Sequence, residues 1–310
     1  MERRLSISAD GRRLAYATRD EQTDVLSADF DPQAGEVVGP LRLIFGGRGI
    51  IDLDWSPDGD RLVLSQAGEP WESLAIIPAD GAGYTRITDA SIQHRGVAWQ
   101  PVAGSELILF YSNANLMTIQ SDGSRLRFVD EEAYSFGGCW SSDGRHVLTN
   151  TIGRDWEVEG FMKYELDSGG DFQRIDWDAP PVTERLLNGL EAWSSVTDRA
   201  AASGTDLDPG LFLYDLETGA LLEILEAVNR YSTTEFVPDG TKLLFKKGRR
   251  VMLVDLETGE QKLVLDIEPD TAGVWGRGMS LSRDGRKLAV LARRDEGDIW
   301  VVDLRHGSTR

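Results

Sequence analysis

The chain has 310 residues with a formal net charge of −19 at pH 7, from 33 Lys and Arg against 52 Asp and Glu. That balance excludes a nucleic-acid backbone as partner, because phosphates demand basic surfaces, and it disfavours anionic membranes. A single cysteine, Cys139, excludes an internal disulfide, and no apolar run is long enough for a transmembrane span or a signal-peptide core.

In chain order, one small turn signature recurs. It reads Ser8-Ala9-Asp10-Gly11-Arg12, Ser56-Pro57-Asp58-Gly59-Asp60, Ser141-Ser142-Asp143-Gly144-Arg145, Val237-Pro238-Asp239-Gly240-Thr241 and Ser282-Arg283-Asp284-Gly285-Arg286. Two degraded copies, around Ala103 and Asp198, fill the gaps. Positions 10, 58, 103, 143, 198, 239 and 284 are spaced by 48, 45, 40, 55, 41 and 45 residues. A repeat near 45 residues marks a β-propeller blade.

Each copy follows an apolar or aromatic residue (Ile7, Trp55, Trp99, Trp140, Trp193, Phe236, Leu281) and precedes an alternating apolar run such as Leu62-Val63-Leu64. Two β-rich runs around Asp-Gly form a hairpin, since those residues tolerate the positive φ of its turn. A third strand (Leu74–Ile77, Leu116–Ile119, Leu211–Tyr214, Val251–Val254, Ile299–Val302) follows, and the identical turns 215–219 and 255–259, Asp-Leu-Glu-Thr-Gly, open a fourth. No segment has helical periodicity. One four-stranded sheet cannot bury both faces alone, so such sheets pack radially.

The expected fold is therefore all-β, one β-propeller domain over 1–310 with four-stranded antiparallel blades. Seven blades are expected, at about 2–45, 48–90, 93–130, 134–176, 188–226, 231–267 and 273–304, with six as the alternative count. The fifth is the weakest, because its second strand is the bland Ala200-Ala201-Ala202-Ser203. The last supplies only three strands before the chain stops. An incomplete blade would expose an unpaired edge, which implies a module fused to, or cut from, something longer; a three-stranded final blade is the rival.

Chemistry is sparse. The histidines, His94, His146 and His306, lack ligand-spaced partners, so no metal or cofactor is expected. No nucleophile elbow, phosphate loop or zinc-protease motif occurs, and no catalytic residue is assigned. Cys139, beside Trp140 on an inner strand, reads as a buried hydrophobe. The carboxylates Asp52, Asp54, Asp58 and Asp60, the pair Asp206 and Asp208, and the pair Asp176 and Asp178 read as turn chemistry and solvated strand faces. Binding is expected instead on the face where loops joining strands 2 and 3, and successive blades, gather. Those loops carry Arg48, Trp71, His94, Arg95, Tyr134, Trp156, Arg230, Tyr231, Trp275 and Arg277, residue types enriched at binding hot spots. The opposite face, made of short Asp-Gly turns, reads as structural.

The phrase Ile51-Asp52-Leu53-Asp54-Trp55-Ser56-Pro57-Asp58-Gly59-Asp60-Arg61-Leu62, with its copies, resembles the WD40-like Pro-Asp repeat of TolB-type propellers, over essentially the whole chain. The opening text, Arg3 to Gly11 and Phe30 to Val37, is most similar to the propeller regions of bacterial regulatory proteins. The resemblance implies a non-catalytic binding or scaffold propeller, a sensor or interaction module taking a protein or small-molecule ligand at its loop face. Alternatives are the gating propeller of a prolyl-oligopeptidase-like serine hydrolase whose catalytic domain is absent here, and a propeller lyase or lactonase. The resemblance is compatible with the cytoplasm, or with the periplasm if a targeting segment has been removed. The chain lacks TolB's N-terminal α/β domain, so TolB's lipoprotein contact is not implied.

Overall fold

The structure is a computed structural model and describes residues 5–66, 72–89, 94–135, 137–153, 158–176, 190–194, 196–203, 210–226, 233–267 and 278–304. These residues are all strand, turn and loop, with no helix among them.

The first three strands are β1 (Leu5–Ile7), β2 (Arg13–Asp31) and β3 (Glu36–Gly47). Five antiparallel sheets of four consecutive strands follow. They are β4 (Ile50–Trp55), β5 (Arg61–Gln66), β6 (Ser73–Pro78) and β7 (Thr85–Arg86); then β8 (Arg95–Trp99), β9 (Leu107–Ser112), β10 (Asn115–Gln120) and β11 (Arg127–Phe128). Next come β12 (Gly138–Trp140), β13 (His146–Ile152), β14 (Val158–Leu166) and β15 (Phe172–Ile175); β16 (Leu190–Ser194), β17 (Arg199–Ser203), β18 (Gly210–Asp215) and β19 (Leu221–Glu226). The fifth is β20 (Thr234–Phe236), β21 (Lys242–Lys247), β22 (Arg250–Asp255) and β23 (Gln261–Asp266). The chain ends with β24 (Met279–Leu281) and β25 (Lys287–Asp303).

The seven repeats thus fold as six sheets. Repeats two to six make one sheet each, while the first and seventh share a closing sheet in which β2 pairs with β25 from Arg13↔Asp303 to Asp29↔Lys287. In its inner half the order is β24-β25-β2-β3, a complete four-stranded blade with two strands from each end of the chain. The inner strands β4, β8, β12, β16, β20 and β24 touch in succession and the last returns to the first. The ring therefore has the alternative number of blades, six. The closing blade is complete, since β2 and β3 supply the strands that repeat seven lacks. The physical reason is that β2 runs through both a second-strand and a third-strand segment without turning. The opening hairpin β1–β2 is carried past the ring instead of forming an inner strand.

Packing confirms the ring. Six apolar clusters each lie between two neighbouring sheets. One joins Val63, Leu74 and Ile76 to Val97, Trp99, Ile108 and Phe110; another joins Cys139, Leu148 and Phe161 to Trp193, Phe212 and Tyr214. The wedge residues Trp55, Trp99, Trp140 and Trp193 are all buried in such seams. Ala200, Ala201 and Ala202 are fully buried. Their small side chains leave room for Trp193, Phe212 and Tyr214, which explains why the fifth repeat is so bland.

Candidate functional site

Each inner strand ends at its wedge residue, or in β16 one residue past it, and turns back through the repeated signature. Ser56 Oγ donates to Asp58 Oδ1 at 2.5 Å and accepts from the Arg61 N–H at 2.9 Å, while the Asp60 N–H donates to the same Asp58 oxygen at 3.1 Å. The Ser141–Asp143 and Ser282–Asp284 turns repeat this pattern. Gly59, with φ of +70°, takes the left-handed position such a turn requires. The Ser56 hydroxyl holds the Asp58 carboxyl below its ordinary range. Burial pushes Asp143 upward, but the Ser141 hydroxyl and Arg145 N–H outweigh it and the net shift is downward.

The turns also latch neighbouring blades. Lys287 Nζ donates to Gly59 O at 2.7 Å, Gln100 Nε2 to Gly144 O at 2.7 Å, and Arg61 pairs bidentately with Glu106 at 2.7 and 3.0 Å. The residue three past the turn aspartate sits on the next blade's tryptophan: Arg61 over Trp99 at 5.0 Å, Lys287 over Trp55 at 5.7 Å, and His146 against Trp193 at 6.1 Å.

Inside this ring of turns lies a cavity of about 480 Å³. Pro57, Pro101, Ser142, Val196, Pro238 and Arg283, the residues just after the first turn position in six successive repeats, form its rim. Its wall includes the residue before five of the six wedges, Asp54, Ala98, Cys139, Ala192 and Glu235, small except for the two acids. Asp54 is a bracket between blades: Oδ2 accepts from the Trp99 N–H at 2.6 Å, and Oδ1 from Ser280 Oγ at 2.6 Å and the Trp55 N–H at 3.0 Å.

Of the residues expected to bind on the loop face, Trp71, Trp156, Arg230, Tyr231, Trp275 and Arg277 lie outside the described residues. His94 is buried beside Phe110, with ring centroids 5.3 Å apart, and its backbone N–H donates to Glu72 Oε2 at 3.1 Å. Arg95 lies 3.6 Å from Glu72 Oε1. Arg48 and Tyr134 are exposed. None of these four lines the cavity, and the structure does not bring them together there. Asp52, beside them, is buried and accepts from the Gly96 N–H at 2.9 Å; burial first, then the Asp52 charge, pushes the Tyr111 hydroxyl up to about 12. Asp206, Asp208 and Asp178 also fall outside the described residues.

The turn face, read from sequence as structural, is therefore also the face that carries a cavity. Arg283, Glu235, Ser142 and Val196 were passed over. The signal that could have found them is positional: each occupies a slot held by proline or a small residue in other repeats. Among the described residues no group of three or more His, Cys, Asp or Glu side chains is placed to hold a metal ion.

Sheets packed as six seams around a turn-rimmed channel define a TolB-like β-propeller. A protein provisionally termed TolB, from Agrobacterium tumefaciens, superposes with a TM-score of 0.64 at 16% identity, covering 89% of this chain and 99% of that one. TolB from Acinetobacter baumannii gives 0.54 at 11% identity, covering 88% of this chain and 64% of that one. A chain of the nidogen/laminin complex gives 0.55 at 12% identity, covering 87% and 98%. Identities this low establish the fold alone. No sequence-family model and no curated protein matches the chain.

Proposed function

We propose that this propeller is a non-catalytic binding module that takes a peptide segment of a partner protein into the mouth of its channel, on the turn face. The cavity carries the reading: about 480 Å³ falls within the roughly 300–1,000 Å³ of ligand pockets. Its rim of prolines and Val196 offers apolar contact without much entropy to lose. Asp143 and Glu235 on the wall, within a chain of charge −19, favour a segment carrying Lys or Arg beside an apolar residue. The occurrence of the fold in a nidogen/laminin complex agrees with engagement of protein partners.

The test is a titration with short Lys-containing apolar peptides, read by tryptophan emission, because Trp55, Trp99, Trp140 and Trp193 all border the cavity. Saturable binding should be lost in Val196→Trp, which plugs the rim at an exposed position, and weakened in Glu235→Gln. Equal binding by the plugged variant, or no saturation with any peptide of this class, would refute the reading.

A further inference from the structure

Beyond the ring, β1 and the outer halves of β2 and β25 continue as a three-stranded ribbon, in register Leu5↔Tyr16↔Trp300 and Ile7↔Leu14↔Val302. These two rows put six large apolar side chains on one face. Leu5 and Ile7 are 66% and 63% exposed, Trp300 and Val302 52% and 43%. The other face carries Val301 and Ile299, 62% and 80% exposed. None of the six belongs to a seam core. An ion pair between Arg294 and buried Asp24 pins the ribbon where it leaves the blade. The edge of β25 not paired with β2 is occupied by β24 only at Leu288 to Val290, with one further bond from the Leu291 N–H to Gly278 O. Past that point no described strand covers it.

We propose that this edge pairs with the same edge of a second copy of the chain, antiparallel about a two-fold axis through Trp300. An open antiparallel edge is complementary to itself under a two-fold operation, which closes the assembly at two copies. Charge narrows the register. Pairing about Trp300 sets Ile299 against Val301 of the second copy and Asp298 against its Val302, so no carboxylate faces another. Sliding the centre to Asp298 would oppose two carboxylates directly, which cross-strand pairs avoid. The chosen register also joins the two apolar faces into one row across six strands: Leu5, Tyr16, Trp300 and their symmetry mates. A single strand edge is short beside the roughly 800 Å² per partner of a stable interface, so the dimer is reversible. Because each copy carries −19, salt that screens their repulsion tightens it.

Sedimentation equilibrium of the full chain should show a monomer–dimer equilibrium that shifts toward dimer with added salt. Trp300→Lys should be monomeric with an unchanged melting temperature. Trp300→Cys should form a disulfide dimer under mild oxidation, since directly opposed residues have Cα atoms about 4.5–5.5 Å apart. Val302→Cys should not, because four residues of offset separate the two thiols by about 13 Å. The native Cys139 is buried and does not confuse the result. A chain monomeric at every concentration and salt, a dimer that survives Trp300→Lys, or equal cross-linking through Val302→Cys would each overturn the proposal.

Discussion

Two copies of one hairpin fold alike and fare differently. At the ribbon tip Ser8 Oγ donates to Asp10 at 2.6 Å and accepts from the Arg13 N–H at 2.9 Å; in the ring Ser56 does the same to Asp58 and Arg61 at 2.5 and 2.9 Å. Their glycines have φ of +67° and +70°. Yet Leu53 and Trp55, before the ring turn, are buried, while Leu5 and Ile7, before the ribbon turn, stand in solvent. The turn is a local object made by four or five residues. Burial belongs to the neighbouring sheet, which the ring supplies and the ribbon lacks.

The comparison can be broken at several depths. Trp99→Ala empties a seam and should cost about 3–5 kcal/mol in urea unfolding, whereas Trp300→Ala should stay within about 0.5 kcal/mol. Similar losses at both positions would mean the ribbon is packed after all. Glycine replacements come next. Gly285→Ala pays the left-handed backbone term of about 1–2 kcal/mol and also drives a methyl to 2.9 Å from the Pro238 ring, which cannot swing aside. Gly11→Ala meets nothing within 4 Å and pays the backbone term alone. The gap between their unfolding midpoints measures how closely the ring turns pack.

Asp54→Asn removes part of an acceptor set that ties three inner strands together, and about 1–3 kcal/mol of thermal stability should go with it. The smallest effect is the pH response. Hydrogen bonds hold Asp10, Asp58 and Asp215 below the ordinary aspartate value of 3.8 in the folded state. Between the folded and unfolded values the unfolded chain binds more protons, so stability falls as pH falls. Urea midpoints should be level above about pH 5 and decline from about pH 4 downward. A decline starting near neutrality would implicate other groups.

Much of this was legible beforehand. The repeat, the wedge tryptophans, the Asp-Gly turns and the buried Cys139 all follow from short-range pattern and residue size. The route by which the ring closes did not. The runs Leu14-Ala15-Tyr16 and Val25 to Asp29 have the pattern of a second and a third strand with a turn between them, but the structure runs 13–31 as one strand. Nothing local forbids a turn there; seventeen register pairs with β25 decide against it. His94 shows the same limit at a site. As a histidine in a loop it looked available for binding, and only the packing of Phe110 and Glu72 around it removes it from the surface.

By itself, then, the amino-acid order determined the unit: a hairpin with its serine–aspartate clasp, an apolar wedge before it, and a spacing that admits sheets and no helices. Tertiary structure decided how many blades make the ring, which face holds a cavity, and which apolar residues stay exposed. The reason is range. Turn chemistry acts within five residues, whereas closure and burial depend on segments almost three hundred residues apart, whose meeting no local preference encodes.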